Sequence, residues 1–109
     1  MQAMRGLSVD VPVVLLSSDD FKTARTGVVY NAAGLTFKFR KQGGSTETKS
    51  IVSDEWTEVG DGIYLVTLNG VDTNTIGTFL YWVTLPAALA YQGVLTIVPI
   101  GTSAALYPI

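Results

Sequence analysis

The chain has no cysteine and no histidine. The first absence removes disulfide frameworks, thiolate nucleophiles and Cys-based zinc sites, and leaves the redox compartment unreadable. The second removes the usual neutral-pH base and the commonest metal ligand. Charge is also scarce, at 15% of residues against 48% hydrophobic, whereas globular chains average about 25% charged. Nine acidic and seven basic residues leave a formal charge of -2, too weak a field to point to nucleic acid or an anionic membrane. Long apolar runs are missing: the greasiest window, "FLYWVTLPAALAY" from Phe79 to Tyr91, has Pro86 inside it and falls short of the roughly 20 residues of a membrane span. The start, "MQAMRGLSVD", has a single Arg and no apolar core of signal-peptide length, so it carries no sign of secretion.

What remains is a greasy chain of 109 residues, a size that suits one domain with a modest core. With a mean hydropathy of +0.36, a lone copy would leave apolar surface wet, and such patches on small domains mark contacts with other chains. Oligomer or assembly is therefore expected.

Helical periodicity is nearly absent, and short β-branched and aromatic runs recur between Gly, Asn, Asp and Pro punctuation, which predicts an all-β domain. Seven strands are expected: Val11 to Leu16, Val28 to Tyr30, Leu35 to Lys41, Lys49 to Ser53 with Trp56 to Val59 as one bent strand or two pieces, Ile63 to Leu68, Thr78 to Leu85, and Gly93 to Ile100. Pro12 lacks an N–H and belongs at a strand start or an edge. In "LTFKFRK" Leu35, Phe37 and Phe39 fall on one side and Thr36, Lys38 and Arg40 on the other, and Gly43-Gly44 suits the hairpin that follows. "SSDDFKTARTG" predicts a polar turn around Asp19 and Asp20 with Phe21 tucked inside. Ile63 to Leu68 and Thr78 to Leu85 are apolar on both faces, unlike an antiparallel strand with a wet side. An outer face carrying Leu80 and Trp82 is expected to meet a neighbouring subunit. Apolar residues near the ends (Met1, Met4, Leu7; Leu106, Tyr107, Ile109) suggest arms that dock elsewhere.

Candidate chemistry is thin. Ser17, Ser18, Asp19, Asp20 and Lys22 bring hydroxyl, carboxylate and amine close in sequence, but a polar turn uses the same residues for local backbone hydrogen bonds. The stretch "NGVDTNTIG", Asn69 to Gly77, places Asp72, Asn74 and Gly77 at the first, third and sixth positions of a calcium loop. Ile76 and Val83 then fall where oxygen ligands belong. The alternative is one helical turn started by Asp72, whose carboxylate takes N–H groups further on, with Gly77 reversing the chain. Trp56, Trp82 and the five Tyr residues are able to stack on sugars, though core or interface packing explains both tryptophans more simply. Lys38, Arg40 and Lys41, the only basic cluster, lack an aromatic platform and suit a solvated strand face.

Three pieces, "LLSSDDFKTARTG", "GLTFKFRKQGG" and "VGDGIYLVTLNGVDTNTIGTFLYWV", in this order resemble a domain of tailed-bacteriophage structural proteins. There a D-F-x-T-x-x-T-G turn, a G-L-T strand, an N/D-G-x-Y strand and a D-T-N-T-x-G crossover recur. The resemblance spans roughly Val11 to Val98 and departs from the pattern at "TLPAALAYQG". It implies an immunoglobulin-like β-sandwich with a short helical crossover turn and no catalytic residues. Asp20, Phe21, Thr23, Gly27, Gly34, Leu35, Gly62, Tyr64, Asp72, Thr73, Asn74 and Gly77 would be its structural positions.

The expectation is a non-enzymatic virion protein, assembled in the host cytoplasm, with a sandwich over residues 11–100 between arms at 1–10 and 101–109. It would need no cofactor or metal and bind neither nucleic acid nor membrane. Its partners would be copies of itself and other virion proteins such as major capsid or tail proteins, met through Leu80, Trp82, Leu89, Tyr91, Leu106 and Tyr107. The role would be capsid decoration or a tail or baseplate component; a carbohydrate- or receptor-binding module displayed on the virion is the alternative.

Overall fold

A computed structural model describes residues 2–99 of the chain. Eight strands form two sheets: β1 (Gln2–Met4), β2 (Val9–Val14), β3 (Thr36–Arg40), β4 (Thr46–Lys49), β5 (Trp56–Gly60), β6 (Ile63–Leu68), β7 (Gly77–Thr84) and β8 (Tyr91–Val98), with one 3-10 turn at Ser53–Glu55. The larger sheet has the order β1-β8-β7-β3-β4 and the smaller β2-β6-β5. All pairings are antiparallel except that of β1 with β8. The architecture is an all-β sandwich, as the alternating pattern predicts.

Alternation decides which side chains meet, because successive residues of a strand point to opposite faces. Phe37 and Phe39 of β3, Phe79, Tyr81 and Val83 of β7 and Leu95 and Ile97 of β8 face inward, against Val11 and Val13 of β2 and Tyr64, Val66 and Leu68 of β6. Aromatic pairs join neighbouring strands, with Phe37 stacked on Tyr81 at 5.6 Å and Phe39 on Phe79 at 5.2 Å. At about 25 cal/mol per Å² of apolar area removed from water, this single core is the main source of stability.

The β5–β6 hairpin is closed by two residues, Asp61 and Gly62, with φ of 55° and 80°. Positive φ at both positions is the turn that matches strand twist, which is why Asp-Gly suits it. Gly62 is doubly constrained, since a Cβ there would sit 2.7 Å from the Leu15 carbonyl oxygen.

Several expectations are corrected. Val28 to Tyr30 is not a strand: the Val28 N–H goes to the Tyr64 hydroxyl and its carbonyl to the Trp56 indole N–H, so side chains satisfy what a ladder would. The fourth strand is Thr46–Lys49, since the Gly43 hairpin lets pairing with β3 begin at once and the chain then leaves for the other sheet. The segment expected as an N-terminal arm, residues 1–10, is, where described, part of the sandwich itself. Gln2–Met4 pairs with Thr96 to Val98, Ala3 is buried, and Val9 and Asp10 already belong to β2. Phe21 is not tucked inside: it is 65% exposed on left-handed backbone at φ 63°. The expected arm at 101–109, with Leu106 and Tyr107, lies outside the described residues, as does Ile100.

Candidate functional site

The polar stretch after β6 is a built turn. The Asn69 side-chain oxygen accepts the N–H groups of Val71 and Asp72 at 3.0 and 3.1 Å, and the Asp72 carboxylate accepts the Asn69 N–H at 2.9 Å. This reciprocal arrangement is a capping box. The Thr73 N–H closes the turn onto the Asn69 carbonyl at 3.2 Å. Asn69 is therefore the cap, three residues before the Asp72 expected from the sequence, and the N-x-x-D spacing was the signal for it.

Where a calcium ion would need bare oxygens, two lysines supply the positive charge. The Lys49 ammonium sits 2.7 Å from Asp72 and 3.1 Å from Glu55. The Lys41 ammonium sits 2.9 Å from the Asn74 side-chain oxygen and 3.0 Å from the Val71 carbonyl. Lys49 shares the core face of edge strand β4 with Phe37, its cross-strand partner. Burial alone would draw its ammonium down; hydrogen bonds to Asp72 and Glu55 more than reverse this and leave it above its ordinary value. Glu55 also takes the Val52 N–H at 3.1 Å. One cation thus ties the 3-10 turn before β5 to the crossover before β7. Among the described residues no group of three or more Asp or Glu is disposed to hold a metal ion.

The long connection from Leu15 to Leu35 is pinned as firmly. The Asp20 carboxylate accepts from the N–H groups of Lys22 and Thr23 at 3.0 and 2.9 Å, and from the Thr23 hydroxyl. Those bonds, that from the Thr23 hydroxyl first, hold its carboxyl below the ordinary value. Ser17 accepts the Asp19 N–H. The Ser17 hydroxyl and the Asp20 carboxylate are thus engaged with the turn's own donors. Gly27, at φ 72°, gives its N–H to Glu58 at 2.9 Å. Arg25 reaches the carbonyl oxygen of Ala87 at 2.8 Å, and the Tyr64 hydroxyl donates to the Arg25 carbonyl at 2.6 Å. Trp56 stacks on Tyr64 at 4.8 Å and gives its indole N–H to Val28 at 2.8 Å, which is the packing role expected for it.

The expected contact residues do not form one surface. Leu80 and Trp82 share the outer face of the larger sheet, Leu80 at 40% exposure and Trp82 half-buried. They meet Val94 and Gln92 across β7 and β8, bordering a groove of about 440 Å³. Tyr91 lies on the opposite face, packed on the core with its ring 6.3 Å from Tyr81. Leu89 is half-buried in the β7–β8 connection, its N–H bonded to the Leu16 carbonyl at 2.9 Å. Val94, at 59% exposure the barest apolar residue of this face, was legible as the polar-side partner in "YQGVLTIV" once the register was known. Gly77 opens β7 at φ 122°, where a Cβ would strike Gln42.

No family model matches the chain, and no curated protein matches it by sequence.

Proposed function

We propose that the chain is a non-enzymatic structural protein of a tailed-bacteriophage virion, which assembles with copies of itself and with other virion proteins through outer sheet faces. The observation that carries the assembly reading is the strip Leu80, Trp82 and Val94, exposed or half-exposed on a sheet face that nothing among the described residues covers. The virion setting rests on the resemblance of the Asp20 to Gly27 turn, the Gly34-Leu35 strand start and the Asp72 to Gly77 crossover. An immunoglobulin-like relationship is supported by strand order: such sandwiches set B, E and D beside G, F and C with C′ added. Here β2, β6 and β5 stand beside β8, β7, β3 and β4. Weighing against a sugar module is the engagement of Trp56, whose ring and N–H are both taken internally.

Mass spectrometry of purified particles tests this reading. The chain is expected in finished particles; a chain expressed during infection yet missing from them would refute it. Within that outcome, copies that bind intact capsid lattices mark head decoration, and a low copy number marks the tail.

A further inference from the structure

The two outer faces of the sandwich differ in charge. On the larger sheet Lys38 and Arg40 stand directly across from Trp82 and Leu80, and neither β3, β7 nor β8 places a carboxylate on that side. On the smaller sheet the outward residues are Asp10, Pro12 and Val14 of β2 and Ile63, Leu65 and Thr67 of β6, paired in register. That side has an anion and no cation on its strands. Ile63 is 38% exposed, and Asp10 is exposed with its carboxylate held at 2.6 Å by the Thr67 hydroxyl. Each face therefore combines an apolar patch with charge of one sign, and the signs are opposite.

We propose that copies of this chain stack head to tail, the cationic outer face of the larger sheet in one copy seating on the anionic outer face of the smaller sheet in the next. The inference rests on the assembly reading above and names its partner: a second copy of the same chain. Like faces would bring Lys38 and Arg40 against each other with no anion to receive them, or leave Asp10 without a cation, and burying an unpaired charge is costly. Unlike faces bring opposite charges together while Leu80, Trp82 and Val94 cover Val14, Ile63 and Leu65. Because the two faces lie on opposite sides of one sandwich, each seated copy leaves both end faces of the stack free. Such a contact grows into a ring or a filament, whereas a two-fold dimer would stop at two.

The test is a mixing experiment on full-length chain by size-exclusion chromatography with light scattering, with circular dichroism to establish that each variant folds. Wild type is expected to form species whose mass rises with concentration. Val94→Glu and Ile63→Glu, changes at exposed positions, are each expected to be monomeric. Their equimolar mixture should yield a one-to-one dimer of twice 11.6 kDa and nothing larger, because each retains the face its partner needs. If Ile63→Glu still dimerises, Val94→Glu does not and mixing restores nothing, the contact is like on like and head-to-tail stacking is wrong. Wild type that remains monomeric at about 1 mM, where even a contact worth about 4 kcal/mol would register, overturns the proposal too. Should Val94→Glu misfold, the doubly exposed pair Lys38→Glu with Arg40→Glu replaces it with the same expected mixing result. Presence in particles is measured separately, so failure here leaves the virion reading to its own experiment.

Discussion

Tyr81 shows how much rests on one side chain. Its ring lies under Gly93, where a Cβ would come within 2.2 Å of the ring carbon Cζ. Its hydroxyl donates to the Pro12 carbonyl across the sandwich at 2.9 Å. Pro12 has no N–H, and the Leu15 N–H bond to the Gly62 carbonyl sets the phase of the β2–β6 ladder so that the Pro12 carbonyl points to the free edge. Tyr81 therefore caps one of the acceptors that an open edge would offer to another strand. Gly93→Ala is expected to force the ring away and cost about 2 kcal/mol, the scale of overpacking, and Tyr81→Phe about 1 kcal/mol; both are read by urea denaturation.

Burial, with Tyr91 nearby, pushes the Tyr81 hydroxyl up to about 12. The unfolded chain would ionise it near 10, so the folded state holds the proton more tightly. The associated stability is complete below about pH 10 and is lost as pH rises from there towards about 12. The raised Lys49 ammonium acts in the same direction. Denaturation midpoints are expected to fall across this alkaline range, and the fall should be smaller in Tyr81→Phe; an equal fall in both would assign it elsewhere.

At the scale of elements, the crossover from β6 to β7 and the 3-10 turn before β5 are joined through Lys49. Asp72→Ala would remove both the acceptor of the Asn69 N–H and a partner of a side chain only 6% exposed. Breaking a buried pair from one side costs about 3–5 kcal/mol, so a loss of about 3 kcal/mol is expected. Asp72→Asn keeps an acceptor for Asn69 without the charge and should lose less. Thermal melts of the three proteins check the order. The polar composition of Asn69 to Gly77 was legible as a turn because Asn, Asp, Thr and Gly satisfy local backbone groups. Its cap is signalled by the Asn69-x-x-Asp72 spacing of a capping box, but Asp72 is itself a good capping residue, and reading it as the cap shifts the turn by three residues. Lys49 was opaque: an edge lysine pointing inward is distinguishable from an outward one only once its cross-strand partner is known to be Phe37.

For the whole molecule, the first residues are a structural part. β1 covers Thr96 to Val98, the Arg5 N–H bonds the Val98 carbonyl at 2.8 Å, the Gly6 N–H the Thr73 carbonyl at 3.1 Å, and the Leu7 carbonyl accepts from the Thr73 hydroxyl at 2.9 Å. Removing residues 1–7 would bare the edge of β8, an eight-residue strand, and leave Thr73 buried with its hydrogen bonds reduced. Such an edge invites pairing with other chains, so in the Val94→Glu background, expected to be monomeric, the truncated protein should aggregate on concentration where the chain that keeps residues 1–7 does not. Light scattering during concentration reads the difference, and unchanged solubility would show that β1 adds nothing to edge protection.

Periodicity and turn chemistry determined the all-β class, the alternation of β3 and the runs of β6 and β7, because period-two burial and Asp-Gly or Gly-Gly turns are local properties. Tertiary structure decided that Val28 gives its backbone groups to Tyr64 and Trp56, that Phe21 stays in water, and that Gln2–Met4 joins the sheet. Phe21 is held outward by the local turn in which its N–H bonds the Ser17 carbonyl, while the first and last of these depend on groups far along the chain arriving within bonding distance. The same holds for the two oppositely charged faces: the strands spell out apolar residues on both sides, but only the pairing of β3 with β7 and of β2 with β6 gathers the cations on one outer surface and Asp10 on the other.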